Sequence, residues 1–381
     1  MLPKPDEWVN FYPPCLAVLK HRIHRGFHQP QFSQAIKVTV PYDSWPTLIS
    51  PCFPPMNSCY RRLLILPFFA LSPLLSSCTT HCKPEKLSAP PESAFVKTEI
   101  PVRGADPYPV WRTRSPGKPV LLLHALNGIS PSTLHFALEM ESWGYRVYLP
   151  SLYGDPIMEH SAFGYDMALE ASKFLERDSR WNLSSTKDIG PILDHTTAMA
   201  NWVSETEGHQ SIAVVGNCLT GSFPIALLSE PAVQLAVIAQ PAAPVKAIHQ
   251  IVLQLPQGPA KSRTLSIPTN RMDQAIAAMR ADPSKKIFGF HYHRDPLAAV
   301  MKFDALHRTL RNSQLEGRFH AFVLGDKKSR YENTRSSWVT QGLTEQDRTM
   351  LTPHSTLINP ESLSDREWFR NHLRAILDQG Y

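Results

Sequence analysis

Cys218 lies in the run Ala213-Val214-Val215-Gly216-Asn217-Cys218-Leu219-Thr220-Gly221. An apolar, β-branched run stops at a glycine, a sharp turn carries the cysteine, and small residues open the next segment. That is the strand–turn–helix setting of a nucleophile elbow, with cysteine where serine is commoner. A tight turn holds the side chain clear of the backbone. It also leaves the next backbone N–H, that of Leu219, facing any oxyanion that forms beside the sulfur. The competing reading is a small buried cysteine that packs as a hydrophobe. Of the six cysteines, Cys15, Cys52, Cys59, Cys78 and Cys82 precede the globular part, which holds Cys218 alone. No disulfide framework is available within it.

A thiol attacks well only as thiolate, so it needs a base. The base needs an acid to hold its tautomer and to stabilise its protonated form. Asp295 follows a strand pattern in His291-Tyr292-His293-Arg294-Asp295-Pro296, and His354 lies in Leu351-Thr352-Pro353-His354-Ser355-Thr356. Asp295 also has a plain reading as a turn residue before Pro296. Asp304 is the alternative acid. His320 lies inside a strand pattern and His307 in a helical one, so His354 is favoured as base by order and by its loop. This machinery calls for no cofactor and no metal. His81-Cys82 forms a metal half-site without a second pair nearby.

The elements that position these groups alternate along the chain. Strand patterns cover Val120–His124, Tyr145–Pro150, Ser211–Gly216, Leu235–Ala239, Lys286–Tyr292 and Phe319–Leu324. Helical spacing joins Leu134, Leu138 and Met140, then Ile189 to Val203, then Met272 to Met279. Leu227 and Leu228 belong to the helix after the elbow, although Pro224 is an awkward residue so early in it. A final helix is expected over Ser364–Leu377, with Trp368, Leu373, Ile376 and Leu377 toward the sheet. Continuous apolar strands imply burial on both faces. The fold class is therefore α/β, a mostly parallel sheet covered by helices on both faces. Functional groups should gather beyond the carboxyl ends of its strands. The chain order nucleophile, acid, histidine is that of the α/β-hydrolase fold.

Three segments resemble dienelactone hydrolases, α/β-hydrolases with a Cys–Asp–His triad. They are Leu121 to Gly128 with Trp143 to Gly154, then Gly216 to Gly221, then His354-Ser355. The resemblance implies a triad of Cys218, Asp295 and His354. It also implies an oxyanion hole from the backbone N–H groups of Leu126 and Leu219. Departures are informative. Thr220 replaces an elbow glycine. Ala125 stands where the family has a glutamate that contacts the resting cysteine. Ile358 stands where the family holds the substrate carboxylate with arginine. The stretch from Leu324 to His354 is longer than in those enzymes and carries Lys327, Lys328, Arg330, Arg335, Trp338 and a Gln-Gly turn, suited to a lid or side wall. These changes argue against a dienelactone substrate while leaving the acyl-transfer machinery in place.

The beginning of the chain has a different character. Met56 to Arg62 is short and basic, Leu63 to Leu75 is apolar, and Leu75-Ser76-Ser77-Cys78 follows. A basic region, a short apolar region and small residues describe a secretory signal. The apolar run is shorter than the ~20 residues of a membrane span. Leu-Ser-Ser-Cys resembles the lipobox of bacterial lipoproteins, which implies lipidation of Cys78. The expected organisation is 1–55 as a leader or a start placed too early, 56–77 as signal, 78–93 as a Pro-rich tether, and 94–381 as the hydrolase-like domain. A chain anchored in this way belongs in the bacterial cell envelope. Thr79, not aspartate, after the lipidated cysteine points to the outer membrane, facing the periplasm. Net charge is +6 over 381 residues without long basic runs, which gives nucleic-acid binding little support.

Together these readings lead to the expectation of a lipid-anchored hydrolase that cleaves a small ester or thioester through an acyl-thioester enzyme. An acyltransferase using the same triad, or a non-catalytic lipoprotein that binds a ligand on this fold, are the alternatives.

Overall fold

The computed structural model describes residues 88–126, 128–153, 174–245, 258–292, 295, 298–325, 338–342, 357 and 363–380. The expected leader, signal and most of the tether lie outside them, as do Cys78, His354 and Ile358.

Nine strands form one sheet among the described residues: β1 Phe95–Ile100, β2 Tyr108–Thr113, β3 Lys118–Leu123, β4 Tyr145–Pro150, β5 Ile212–Asn217, β6 Val233–Ala239, β7 Lys286–Tyr292, β8 Phe319–Gly325 and β9 Trp338–Gly342. Their order is β1-β2-β4-β3-β5-β6-β7-β8-β9. β1, β2 and β4 pair antiparallel, and every pair from β4 onward is parallel. This is the α/β-hydrolase fold that the chain order of the candidate residues implied.

Helices bounded within the described residues include α1 Pro131–Ser142, α2 Ile192–Thr206, α3 Phe223–Leu227, α4 Thr269–Ala281, α5 Met301–Asn312 and α6 Leu363–Gly380. They divide between the two faces. Leu121, Leu123, Val214, Ala236 and Ile238 pack with Met199 and Val203 of α2, Met279 of α4 and Phe303, Leu306 and Leu310 of α5. Val120, Leu122, Ala213, Val215 and Val237 pack with Phe136 and Met140 of α1 and Phe369, Leu373 and Ile376 of α6. Successive strand residues point to opposite faces, and here both faces are apolar, so no polar alternation survives. Ser130 caps α1 by accepting from the Thr133 N–H at 3.3 Å.

Three differences from the sequence reading have local causes. The antiparallel β1–β2 pair was not anticipated. β1 is buried only at Phe95 and at its far end, and β2 carries Pro109, so neither presents a long apolar run. Gln341-Gly342 is not a turn: both residues pair with Leu324 and Gly325 in β9. Val339 and Thr340 favour a strand, and the exposed edge of β8 offers a partner. The last helix extends to Gly380, and Phe369 is its most deeply buried aromatic, with Trp368 beside it.

Candidate active site

β5 is buried at all six residues and delivers the chain to its carboxyl end. A 3-10 turn, Cys218–Thr220, follows at once, and α3 begins at Phe223. Cys218 has φ 52°, in the left-handed region. A non-glycine residue there costs about 1–2 kcal/mol, which the surrounding structure must supply. The surroundings are tight. A Cβ on Gly216 would lie 2.3 Å from the Thr220 carbonyl oxygen and 2.7 Å from Pro224 Cδ. One on Gly221 would lie 2.7 Å from the Ala239 carbonyl oxygen. Glycine at both positions lets strand and helix cross this closely. Pro224 is the second residue of α3, where a helix needs no N–H donor. Leu219 is the second residue of the 3-10 turn, so its N–H has no acceptor within that turn.

Thr220 ties the elbow down with hydrogen bonds. Its hydroxyl accepts from the Asn217 N–H at 3.1 Å. The hydroxyl proton faces the carbonyls of His124 at 3.1 Å, Asn217 at 3.2 Å and Leu123 at 3.3 Å. Asn217 Nδ2 donates to the Leu123 carbonyl at 3.2 Å. The elbow is thereby stitched to the end of β3, whose Leu123 is the register partner of Gly216.

The loop after β3 carries Leu126, which is buried. His124 shapes this loop. Its Nδ1 donates to the Ala125 carbonyl at 2.7 Å, and its Nε2 accepts from the Leu152 N–H at 3.0 Å. Both bonds fit one neutral tautomer. Burial pushes its pKa down to about 4, opposed by the bond to Ala125. Tyr153 donates to the Leu126 carbonyl at 2.7 Å and packs against the His124 ring at 4.8 Å. Its phenol is held well above the ordinary range, first by burial and then by the charge of Cys218. Tyr153 also contacts the rings of Phe174 and Trp181, and Trp181 that of Phe223. Leu126, Tyr153 and Cys218 thus share one apolar corner beyond β3 and β5.

Asp295 is buried just past β7, with only β6 between β7 and β5. Its Oδ1 accepts from the Ala298 N–H at 2.9 Å, so the turn role is real. Lys302, at the start of α5, is brought down to about 7 by burial, against the opposing pull of Asp295 and Cys218. Asp304 and His307 lie farther along α5. His320 is the second residue of β8, at the opposite end of the sheet from the elbow, and its ring stacks on Phe288. His354 lies outside the described residues. No group of three or more His, Cys, Asp or Glu suited to a metal ion occurs among the described residues.

Sequence reasoning missed Lys302. It is wholly buried. The signal was present, because Lys302, Leu306 and Leu310 share one helical stripe at intervals of four. The charge of the lysine hid it.

No protein-family model matches the chain, and no curated protein matches it in sequence. Among solved structures, the chain is similar to an esterase from Pyrococcus furiosus at 12% identity, covering 78% of this chain and 99% of that one with a TM-score of 0.44. It is similar to a thermostable carboxyl esterase from Bacillus coagulans at 10% identity, covering 75% and 99% with a TM-score of 0.45. It is also similar to a dienelactone hydrolase from Anabaena variabilis at 12% identity, covering 74% and 97% with a TM-score of 0.41.

Proposed function

We propose that this protein hydrolyses a carboxylic ester or thioester with Cys218 as nucleophile. The observation that carries the reading is the backbone of Cys218, held at φ 52° directly after the buried strand β5. Strain of this kind persists where the fold over-determines it, and it concentrates at functional sites. In the reaction, His354 takes the Cys218 proton and the thiolate attacks the carbonyl carbon. The Leu126 and Leu219 N–H groups receive the negative oxygen. Collapse expels the alcohol or thiol, which takes the proton from His354, and leaves an acyl-thioester on Cys218. Water then attacks with His354 as base and restores the free thiol. Asp295 orients His354 throughout.

Hydrolysis of p-nitrophenyl acetate and butyrate by the full chain tests this. Cys218→Ala should lower kcat by at least about 10³-fold with thermal unfolding essentially unchanged. Equal turnover in the folded variant would refute the reading.

The chain is further proposed to reach the bacterial envelope through a lipid on Cys78, and to work at the outer membrane facing the periplasm. The order of basic region, apolar region and Leu-Ser-Ser-Cys supports it.

A further inference from the structure

Trp181 is only 6% exposed, and its Nε1–H is shut off from solvent without a hydrogen-bond partner among the described residues. A buried indole N–H ordinarily finds an acceptor, and leaving one unmet is costly. The chain on both sides of it is fixed. The Trp181 N–H donates to the Asp178 carbonyl at 3.0 Å, and the Arg180 carbonyl accepts from the Ile192 N–H at 3.0 Å. The Asn182 N–H donates to the Ile189 carbonyl at 2.7 Å, and the Leu183 carbonyl accepts from the Val245 N–H at 2.8 Å. Gly190, at φ 101°, runs so close that a Cβ there would lie 2.6 Å from the Arg180 carbonyl oxygen. The Arg180 guanidinium spans both Asp178 oxygens at 2.9 Å and donates to the Tyr108 hydroxyl at 2.6 Å. That hydroxyl donates in turn to His195 Nδ1 at 2.6 Å. The indole is thereby set against Phe223 at 5.9 Å and Tyr153 at 6.3 Å, with its N–H unclaimed.

The ring belongs to the surroundings of the proposed nucleophile. Trp181, Tyr153, Leu126, Phe223 and Cys218 lie in one apolar cluster, and Cys218 is itself buried. A substrate that reaches the sulfur enters the same enclosed corner. Sheet order says which part of it turns toward Trp181. Leu126 and Tyr153 follow β3 and β4 on one side of β5, and Asp295 follows β7 on the other. The histidine that Asp295 orients protonates the leaving group, so the leaving group points toward β7 and the acyl group toward Tyr153 and Trp181. Apolar pockets fix their ligands with a few placed polar groups.

We propose that Trp181 determines the acyl specificity of this site. Its ring walls the acyl pocket and its N–H takes an acceptor atom, so the substrate is an ester or thioester of an apolar acid that carries an oxygen along its chain. The inference rests on the reading of Cys218 given above.

Paired p-nitrophenyl esters test this on the full chain. Each pair sets a methoxyalkanoate against the alkanoate of equal length, with the ether oxygen separated from the carbonyl by one, two or three carbons. The ratio of kcat/KM within each pair is compared between wild type and Trp181→Phe, which keeps a ring without the N–H. The comparison cancels the intrinsic reactivity of each ester. At one oxygen position the ratio should fall about fivefold or more in the variant. Benzothienylalanine in place of Trp181 keeps the indole shape with sulfur for the N–H. It should behave like Trp181→Phe, and it serves if the smaller ring does not fold. Equal ratios in wild type and either folded variant at all three positions overturn the proposal and leave the N–H to a fixed water. Binding of the matching neutral dimethylamides, measured by calorimetry, separates the two ideas. Turnover without an ether preference in either assay removes the role of Trp181 and leaves the hydrolase. An ether preference in binding that needs the N–H, in a protein without turnover, keeps that role and removes the hydrolase.

Discussion

At the scale of single residues, Cys218 is held by neighbours that have other work. Thr220 is the clearest. It is wholly buried, accepts from the Asn217 N–H and offers its proton to carbonyls at the end of β3. Valine has nearly the same shape but no hydroxyl. Thr220→Val should therefore leave the Asn217 N–H buried without its acceptor, at about 1–3 kcal/mol. Urea unfolding monitored by fluorescence would show the midpoint fall with the slope unchanged. Turnover should fall with it, because the same bonds hold the loop of Leu126 against the elbow. A variant of wild-type stability would mean that the hydroxyl is incidental. The sequence showed Thr220 as a departure from a family pattern. It did not show that the side chain bonds the elbow to the end of β3, because its partners, Leu123 and His124, are distant in the chain.

Among elements, the loop leaving β3 depends on a histidine that must stay neutral. In the folded protein His124 titrates near 4, whereas an exposed histidine titrates near 6.5. Above pH 6.5 both states are neutral and this group adds no pH dependence. As pH falls below 6.5 the unfolded chain takes the proton first, so stability falls until the folded pKa is reached. The loss from this group should be about 2 kcal/mol at pH 5. Denaturant titrations at pH 7 and pH 5 should show it. In His124→Gln the dependence should be shallower by one proton, whatever the variant's absolute stability. An equal slope in both proteins would show that His124 is already protonated or solvated in the fold. The same loop carries Leu126, so protonation of His124 should also loosen the candidate oxyanion site.

For the whole molecule, the sheet acts as a frame. β3, β5 and β7 end on the same side, and each releases one candidate group: Leu126, Cys218 and Asp295. α6 is tied back across the opposite layer, where Arg370 donates to the Leu357 carbonyl at 3.0 Å and pairs with Glu139 of α1. No described helix is long and apolar enough to cross a membrane. Membrane attachment in this reading depends on Cys78. Expressed in a bacterium fed a labelled fatty acid, the chain should carry the label and sediment with membranes. Cys78→Ser should lose both while its ester hydrolysis stays within about twofold, since Cys78 takes no part in the proposed acyl transfer. Labelling retained in that variant would place the lipid elsewhere or remove it from the account.

Local chemistry determined much by itself. The β-branched run before Gly216, the turn at Cys218 and the alternation of apolar strands with helical stripes were readable because each depends on neighbours within a few residues. They were enough to place Cys218 after a strand and to expect a mostly parallel sheet. The tertiary structure decided what depends on partners far apart in sequence. It paired β1 with β2, added β9 where a turn was expected, and made His124 and Thr220 the joint between β3 and the elbow. It also buried Lys302 beneath the carbonyls of Ala242 and Ala243. A lysine on a helix reads as solvated until the fold surrounds it. Only long-range packing can take a charge out of water and set it beside the groups that compensate it.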